Sequence, residues 1–128
     1  MLPKSQRLKN SREFSVVYNL KKSTANSLLI LYTGKIKQDL QMPAKVGFVV
    51  SKKISKSSCK RNRIKRLTRE AYRNIIKKFG FCFIPWDKII FIARNESLYA
   101  DYHMIYDALS DCLDRASKKF GAGEGKPC

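Results

Sequence analysis

Long apolar runs are missing from this chain of 128 residues, and no stretch approaches the roughly 20 residues that a membrane-spanning helix needs. The opening Met1-Leu2-Pro3-Lys4-Ser5-Gln6-Arg7 lacks the apolar segment of a secretory signal, so a cytoplasmic protein with no membrane partner is expected. Acidic residues are scarce: 10 Asp and Glu stand against 27 Lys and Arg, a formal charge of +17. The four cysteines, Cys59, Cys82, Cys112 and Cys128, include no Cys-x-x-Cys pair, and His103 is the single histidine. That spacing argues against a zinc site. In a reducing compartment the four read as free thiols, with Cys82 and Cys112 as small core residues. No paired carboxylates and no Cys/His or Ser/His arrangement suggest a reactive pocket, so no catalytic residue and no metal ligand is assigned to the chain.

What is present is apolar residue and positive charge. At 44% apolar content the length suits one compact domain, taken as residues 1–120, with a glycine-rich tail over 121–128 whose composition is that of a disordered segment. The tail is no phosphate loop, because no strand precedes it and Pro127 stands where Ser or Thr is needed. A strongly basic balance speaks to partners rather than to fold, and nucleic acid is the leading one.

Hydrophobic periodicity predicts six elements. A helix over 11–21 starts at Ser11 and puts Phe14, Val17 and Tyr18 on one face. Segments 27–37 and 46–51, rich in strand formers and separated by a polar turn, read as a hairpin. A long helix follows the Ser55-Lys56-Ser57-Ser58 loop and ends near Gly80. A third strand covers 88–94. Last, Tyr102, Ile105, Tyr106, Leu109, Cys112, Leu113 and Ala116 repeat at helical spacing over 101–119. The order αββαβα predicts an α+β domain, with helices packed on a small mixed sheet.

The long helix carries the signal. At 100° per residue from Arg61, the apolar Ile64, Leu67, Ala71 and Ile75 fall between about 240° and 320° and predict a buried stripe. Arg61, Asn62, Lys65, Arg66, Arg69 and Arg73 fall between about 0° and 140° and predict a basic face, with Arg63 and Glu70 at its flank. Charge on a helix is ordinarily a solvated face with compensating pairs. Here compensation is lacking: between Lys52 and Lys78 stand seven lysines and five arginines against Glu70 alone, a net +11. Like charges at four-residue spacing cost a few tenths of a kcal/mol per pair, a cost that a polyanion would offset.

The runs Val49-Val50-Ser51-Lys52-Lys53-Ile54 and Arg61-Asn62-Arg63-Ile64-Lys65-Arg66-Leu67-Thr68-Arg69-Glu70 closely resemble the signature of the protein subunit of bacterial ribonuclease P. Leu31-Tyr32, Val46-Gly47-Phe48 and Ile90-Phe91-Ile92-Ala93-Arg94 fit in the right order, so the resemblance covers roughly residues 5–118. The loop departs from the pattern with serines where glycine or alanine is frequent. The resemblance implies a left-handed βαβ crossover in a fold like domain 2 of ribosomal protein S5. It implies a ribonucleoprotein whose RNA, using Mg²⁺, removes the 5′ leader of precursor tRNA while the protein assists, with no obligatory protein partner. By the same resemblance Lys52, Lys53, Lys56, Arg61, Asn62, Arg63, Lys65, Arg66 and Arg69 contact the catalytic RNA, and Arg73 extends their face. Phe14, Tyr18 and Tyr32 occupy the positions of a cleft that receives the single-stranded leader. An aromatic at helical spacing is ordinarily core, so for Phe14 both roles stay open.

Two other readings compete. A ribosomal or general RNA-binding protein would be equally basic and would show no preference for leader-bearing tRNA. A helix-turn-helix DNA-binding protein fits less well, because the basic helix lies between strands rather than after another helix.

Overall fold

A computed structural model of the chain describes residues 7, 8, 11–35, 44–50, 53, 56–80, 84 and 86–120. The described residues form four strands and three α-helices: α1 (Ser11–Asn19), β1 (Ser23–Ala25), β2 (Leu29–Thr33), β3 (Lys45–Val49), α2 (Ser58–Phe79), β4 (Lys88–Ala93) and α3 (Tyr102–Phe120), with a short 3₁₀ helix at Asn95–Tyr99 before α3. The expected α+β class with a small mixed sheet is what forms. Among the described residues no helix is long and apolar enough to cross a membrane. The glycine-rich tail, Cys82, Cys128 and Lys52 lie outside the described residues.

The strand order is β1-β2-β4-β3. Segments 27–37 and 46–51 therefore do not form the expected hairpin, because β4 lies between β2 and β3. It pairs antiparallel with β2 (Leu31 opposite Phe91) and parallel with β3 (Phe48 beside Phe91). The physical reason is that β4 is buried along nearly its whole length, which suits a central strand and not an edge. The true hairpin is β1 with β2, Thr24 facing Leu31. Its turn is organised by Asn26, whose Oδ1 accepts the N–H groups of Leu28 and Leu29 at 3.0 and 2.9 Å. The Asn26 amide also donates to the Ala108 carbonyl at 2.8 Å, which ties the turn to α3.

Alternation along the strands sorts the residues between two faces. Leu29, Leu31, Val46, Ile89 and Phe91 point to the side covered by α2 and α3, where they join Trp86, Ile105, Leu109 and Cys112 in the main core. Ile90 points to the other side and meets Leu8 and Val17 in a smaller cluster beneath α1. The two helical layers thus use opposite faces of one sheet.

Helix α2 starts at its cap residue Ser57, whose hydroxyl accepts the Lys60 N–H at 3.4 Å. It stops at Gly80, as the sequence predicts: φ is +81°, a value glycine tolerates, and the Gly80 N–H donates to the Ile76 carbonyl at 2.7 Å.

Candidate nucleic-acid interface

Packing sets which side of α2 meets solvent. Its buried residues are Ile64, Thr68, Ala71, Tyr72 and Ile75. Leu67, expected in the buried stripe, is only partly buried at the edge of the main cluster. Two residues take the place that apolar spacing gave it. Thr68 is tolerated inside because its hydroxyl donates to the Ile64 carbonyl at 2.7 Å. Tyr72 is drawn in by an aromatic group on the sheet, with ring centroids 6.2 Å from Phe48 and 6.0 Å from Phe91.

That substitution of partners rolls the helix relative to the face read from apolar spacing. Arg61, Lys65 and Arg69 lie half-buried at its margin, whereas Asn62, Arg63, Arg66, Glu70 and Arg73 are exposed. Arg63 and Glu70, placed at the flank by apolar periodicity, thus belong to the solvent side. A groove of about 780 Å³ runs along Cys59, Asn62, Arg63, Arg66, Arg69, Glu70 and Arg73. Lys53 and Lys56 are exposed before the helix begins.

Among the residues lining the groove Glu70 is the one acidic side chain. The ion pairs of Glu13, Asp87, Asp111 and Asp114 with Lys45, Lys88, Arg115 and Lys118 lie on other elements. Among the described residues none of Lys60, Arg63, Lys65, Arg66, Arg69 and Arg73 makes an ion pair. The first turn of α2 holds no acidic residue, so Lys60 adds its charge to the positive end of the helix dipole. An arriving phosphate relieves both effects at once.

On the opposite face of the sheet, Phe14, Tyr18 and Tyr32 come together, each half-buried against the Leu8, Val17 and Ile90 cluster. Tyr18 stands edge-on to Tyr32 with centroids 5.0 Å apart, and Phe14 lies 6.4 Å from Tyr18. Val49 and Ile92 continue this partly exposed apolar surface beyond α1. Burial raises the Tyr18 phenol above its ordinary value, with Tyr32 adding to the shift. The three rings therefore stand at the margin, each in contact with core on one side and solvent on the other. Sequence reading missed Gly47, which makes this packing possible: a Cβ there would meet the Phe14 ring at 2.5 Å.

Of the expected RNA-binding residues, Arg61, Asn62, Arg63, Lys65, Arg66, Arg69 and Arg73 share one helix, and Lys53 and Lys56 precede it. The three aromatics share the α1 side of the sheet. Among the described residues no three His, Cys, Asp or Glu side chains gather where they could hold a metal ion.

Known proteins share this architecture and sequence. The profile of the Ribonuclease P family matches residues 2–117. The ribonuclease P protein component of Clostridium botulinum (strain Loch Maree / Type A3) is 40% identical over 116 residues, spanning 88% of this chain and 96% of that protein. The Staphylococcus aureus RNase P protein superposes with a TM-score of 0.73 at 30% identity, covering 88% of this chain and 96% of the other. The RNase P protein from Thermotoga maritima gives a TM-score of 0.68 at 25% identity, with 85% and 96% covered.

Proposed function

Because the chain belongs to the ribonuclease P protein family, we propose that it is the subunit that clamps a catalytic RNA through α2 and guides the 5′ leader of precursor tRNA across the α1 face. The observation that carries this reading is the division of labour within α2: Ile64, Ala71 and Ile75 seal the core, while Lys60, Arg63, Lys65, Arg66, Arg69 and Arg73 make no ion pair among the described residues. Arg66, Arg69 and Arg73 supply planar forks suited to phosphate, with Arg61, Arg63 and Lys65 beside them and Asn62 able to donate a neutral hydrogen bond. Lys52, Lys53 and Lys56 lead the RNA toward the helix.

Phe14, Tyr18 and Tyr32 offer stacking surfaces for unpaired leader bases. Stacking is worth about 1–3 kcal/mol per base and accepts any base, which suits leaders that differ among tRNAs. The rings remain part of the small core as well, so both roles weighed for Phe14 apply to it. The protein's contribution is binding and orientation in the cytoplasm. Mg²⁺ held by the RNA subunit would supply the charge neutralisation that hydrolysis of a phosphodiester requires. This chain offers it no carboxylate cluster among the described residues, and no proton transfer is assigned to a protein group.

Precursor tRNA cleavage by a bacterial ribonuclease P RNA at low Mg²⁺, with and without the protein, tests this. Stimulation that depends on the presence of a leader is expected. No stimulation over RNA alone overturns the assignment, and equal binding of tRNA with and without a leader favours a general RNA-binding role.

A further inference from the structure

Tyr99 is 86% exposed, more than any other large apolar side chain among the described residues. It sits at the end of the 3₁₀ helix, in a turn closed by hydrogen bonds of its neighbours. Ser97 is fully buried and its Oγ donates to the Arg94 carbonyl at 2.6 Å, while the Ala100 N–H returns to the Ser97 carbonyl at 3.2 Å. Arg63 Nη2 donates to the Ala100 carbonyl at 3.3 Å, which joins this turn to α2. Lys60, Arg63, Leu98 and Tyr99 enclose a shallow cavity of about 300 Å³.

An aromatic ring held out in water loses the stabilisation that burial would bring. Such a ring beside two cations matches one kind of occupant. An unpaired nucleobase stacks on the phenol face and its phosphate reaches Lys60 and Arg63. The cavity adjoins the basic groove, since Arg63 lines both. It is separate from the aromatic cleft, which lies beneath α1 on the other face of the sheet.

We propose that Tyr99, with Lys60 and Arg63, forms a stacking platform for a single unpaired nucleotide of the RNA bound along α2. The platform rests on the reading of α2 as the RNA-binding helix. It extends the grip past the first turn of α2 and adds a contact that depends on base rather than on charge. The signature of the Tyr99 contact is therefore insensitivity to salt, where each phosphate contact of Lys60, Arg63 and the rest of α2 is salt-dependent.

Binding of the full-length protein to a bacterial ribonuclease P RNA, measured over a range of monovalent salt, tests the platform. Tyr99→Ala is expected to weaken binding about tenfold, the size of one stacked base, at an unchanged salt slope. Tyr99→Phe is expected to bind within about twofold of the parent, because the ring and not the hydroxyl stacks. Arg66→Ala serves as the control on α2. Unchanged affinity for Tyr99→Ala with weakened Arg66→Ala overturns the platform and leaves the helix reading intact. Equal loss in Tyr99→Ala and Tyr99→Phe overturns stacking in favour of the hydroxyl. If Arg66→Ala also binds as the parent does, the helix reading fails and the platform falls with it.

Discussion

The ring of Phe14 lies so close to the backbone of Gly47 that a β-carbon on Gly47 would sit 2.5 Å from Phe14 Cε1 and 2.6 Å from Cζ, with Leu8 Cδ1 at 3.1 Å. Gly47 is central in β3, beside Ile90, so its backbone cannot retreat without breaking the parallel ladder to β4. The helix that carries Phe14 is seated by this contact and by the 3.4 Å pair of Glu13 with Lys45.

Gly47→Ala is accordingly expected to destabilise the fold by about 1–3 kcal/mol, the usual cost of overpacking. In Phe14→Ala the obstructing ring is gone, and adding Gly47→Ala to that background should cost much less. Urea unfolding of the four proteins of this cycle measures the coupling. Additive costs would show that the clash is relieved elsewhere. The same Gly47→Ala change is expected to weaken leader binding, since Phe14 is displaced from Tyr18.

Arg66→Ala, Arg69→Ala and Arg73→Ala are each expected to lower RNA affinity and to reduce the slope of log affinity against log salt by about 0.7–0.9, one phosphate contact apiece. Arg66 and Arg73 are exposed and Arg69 half-buried, with no side-chain partner lost among the described residues. Their unfolding free energies should therefore stay within about 0.5 kcal/mol of the parent. Unchanged slopes in all three would place the RNA on another surface.

Ile64→Ala tests the inward side of the same helix. Ile64 is fully buried, and emptying its site is expected to cost about 2–5 kcal/mol. Loss of RNA binding should then track the unfolded fraction, with the salt slope of the folded protein preserved. A flattened slope in folded Ile64→Ala would mean that the two sides of α2 are not separable in the way packing implies.

Much of this was legible from residue pattern. The ends of α2, the helical run of α3, burial of Cys112 and the concentration of charge on one helix all follow from spacing and from capping residues. Strand adjacency did not, because alternation shows that a segment is extended without showing which segment lies beside it. Residues 27–37 and 46–51 look like neighbours along the chain, yet Phe91 of β4 stands between Leu31 and Phe48. The roll of α2 was hidden for a related reason. Leu67 is more apolar than Thr68 or Tyr72, and only the aromatic pair Phe48 and Phe91, brought in by the sheet, makes Tyr72 the better inward residue. The strand β1 was missed because three residues, Ser23, Thr24 and Ala25, are too few for a period-two signal.

The two described thiols are expected to behave oppositely. Cys59 is exposed at the start of α2, whereas Cys112 is buried in the main core. Burial pushes the Cys112 thiol up to about 11 from 9.0; Asp111 adds to the rise, and Arg115 and a hydrogen bond from Asn26 oppose it. Folding therefore favours the protonated thiol. Below about pH 9 both folded and unfolded chains keep the proton, and the contribution of Cys112 to stability is fully present. Between about pH 9 and 11 the unfolded thiol ionises while the folded one does not, and that contribution is lost as pH rises. The difference in urea midpoint between the parent and Cys112→Ala should then be constant up to about pH 9 and narrow by about pH 11. Comparing the two proteins cancels the titration of the many lysines, which both share. A gap that stays constant across this range would mean that Cys112 ionises alike in both states. In native protein near neutral pH a thiol reagent should label Cys59 rapidly and reach Cys112 only on unfolding. Rapid native labelling of Cys112 would show that the contact between α3 and β2 opens far more readily than its packing implies.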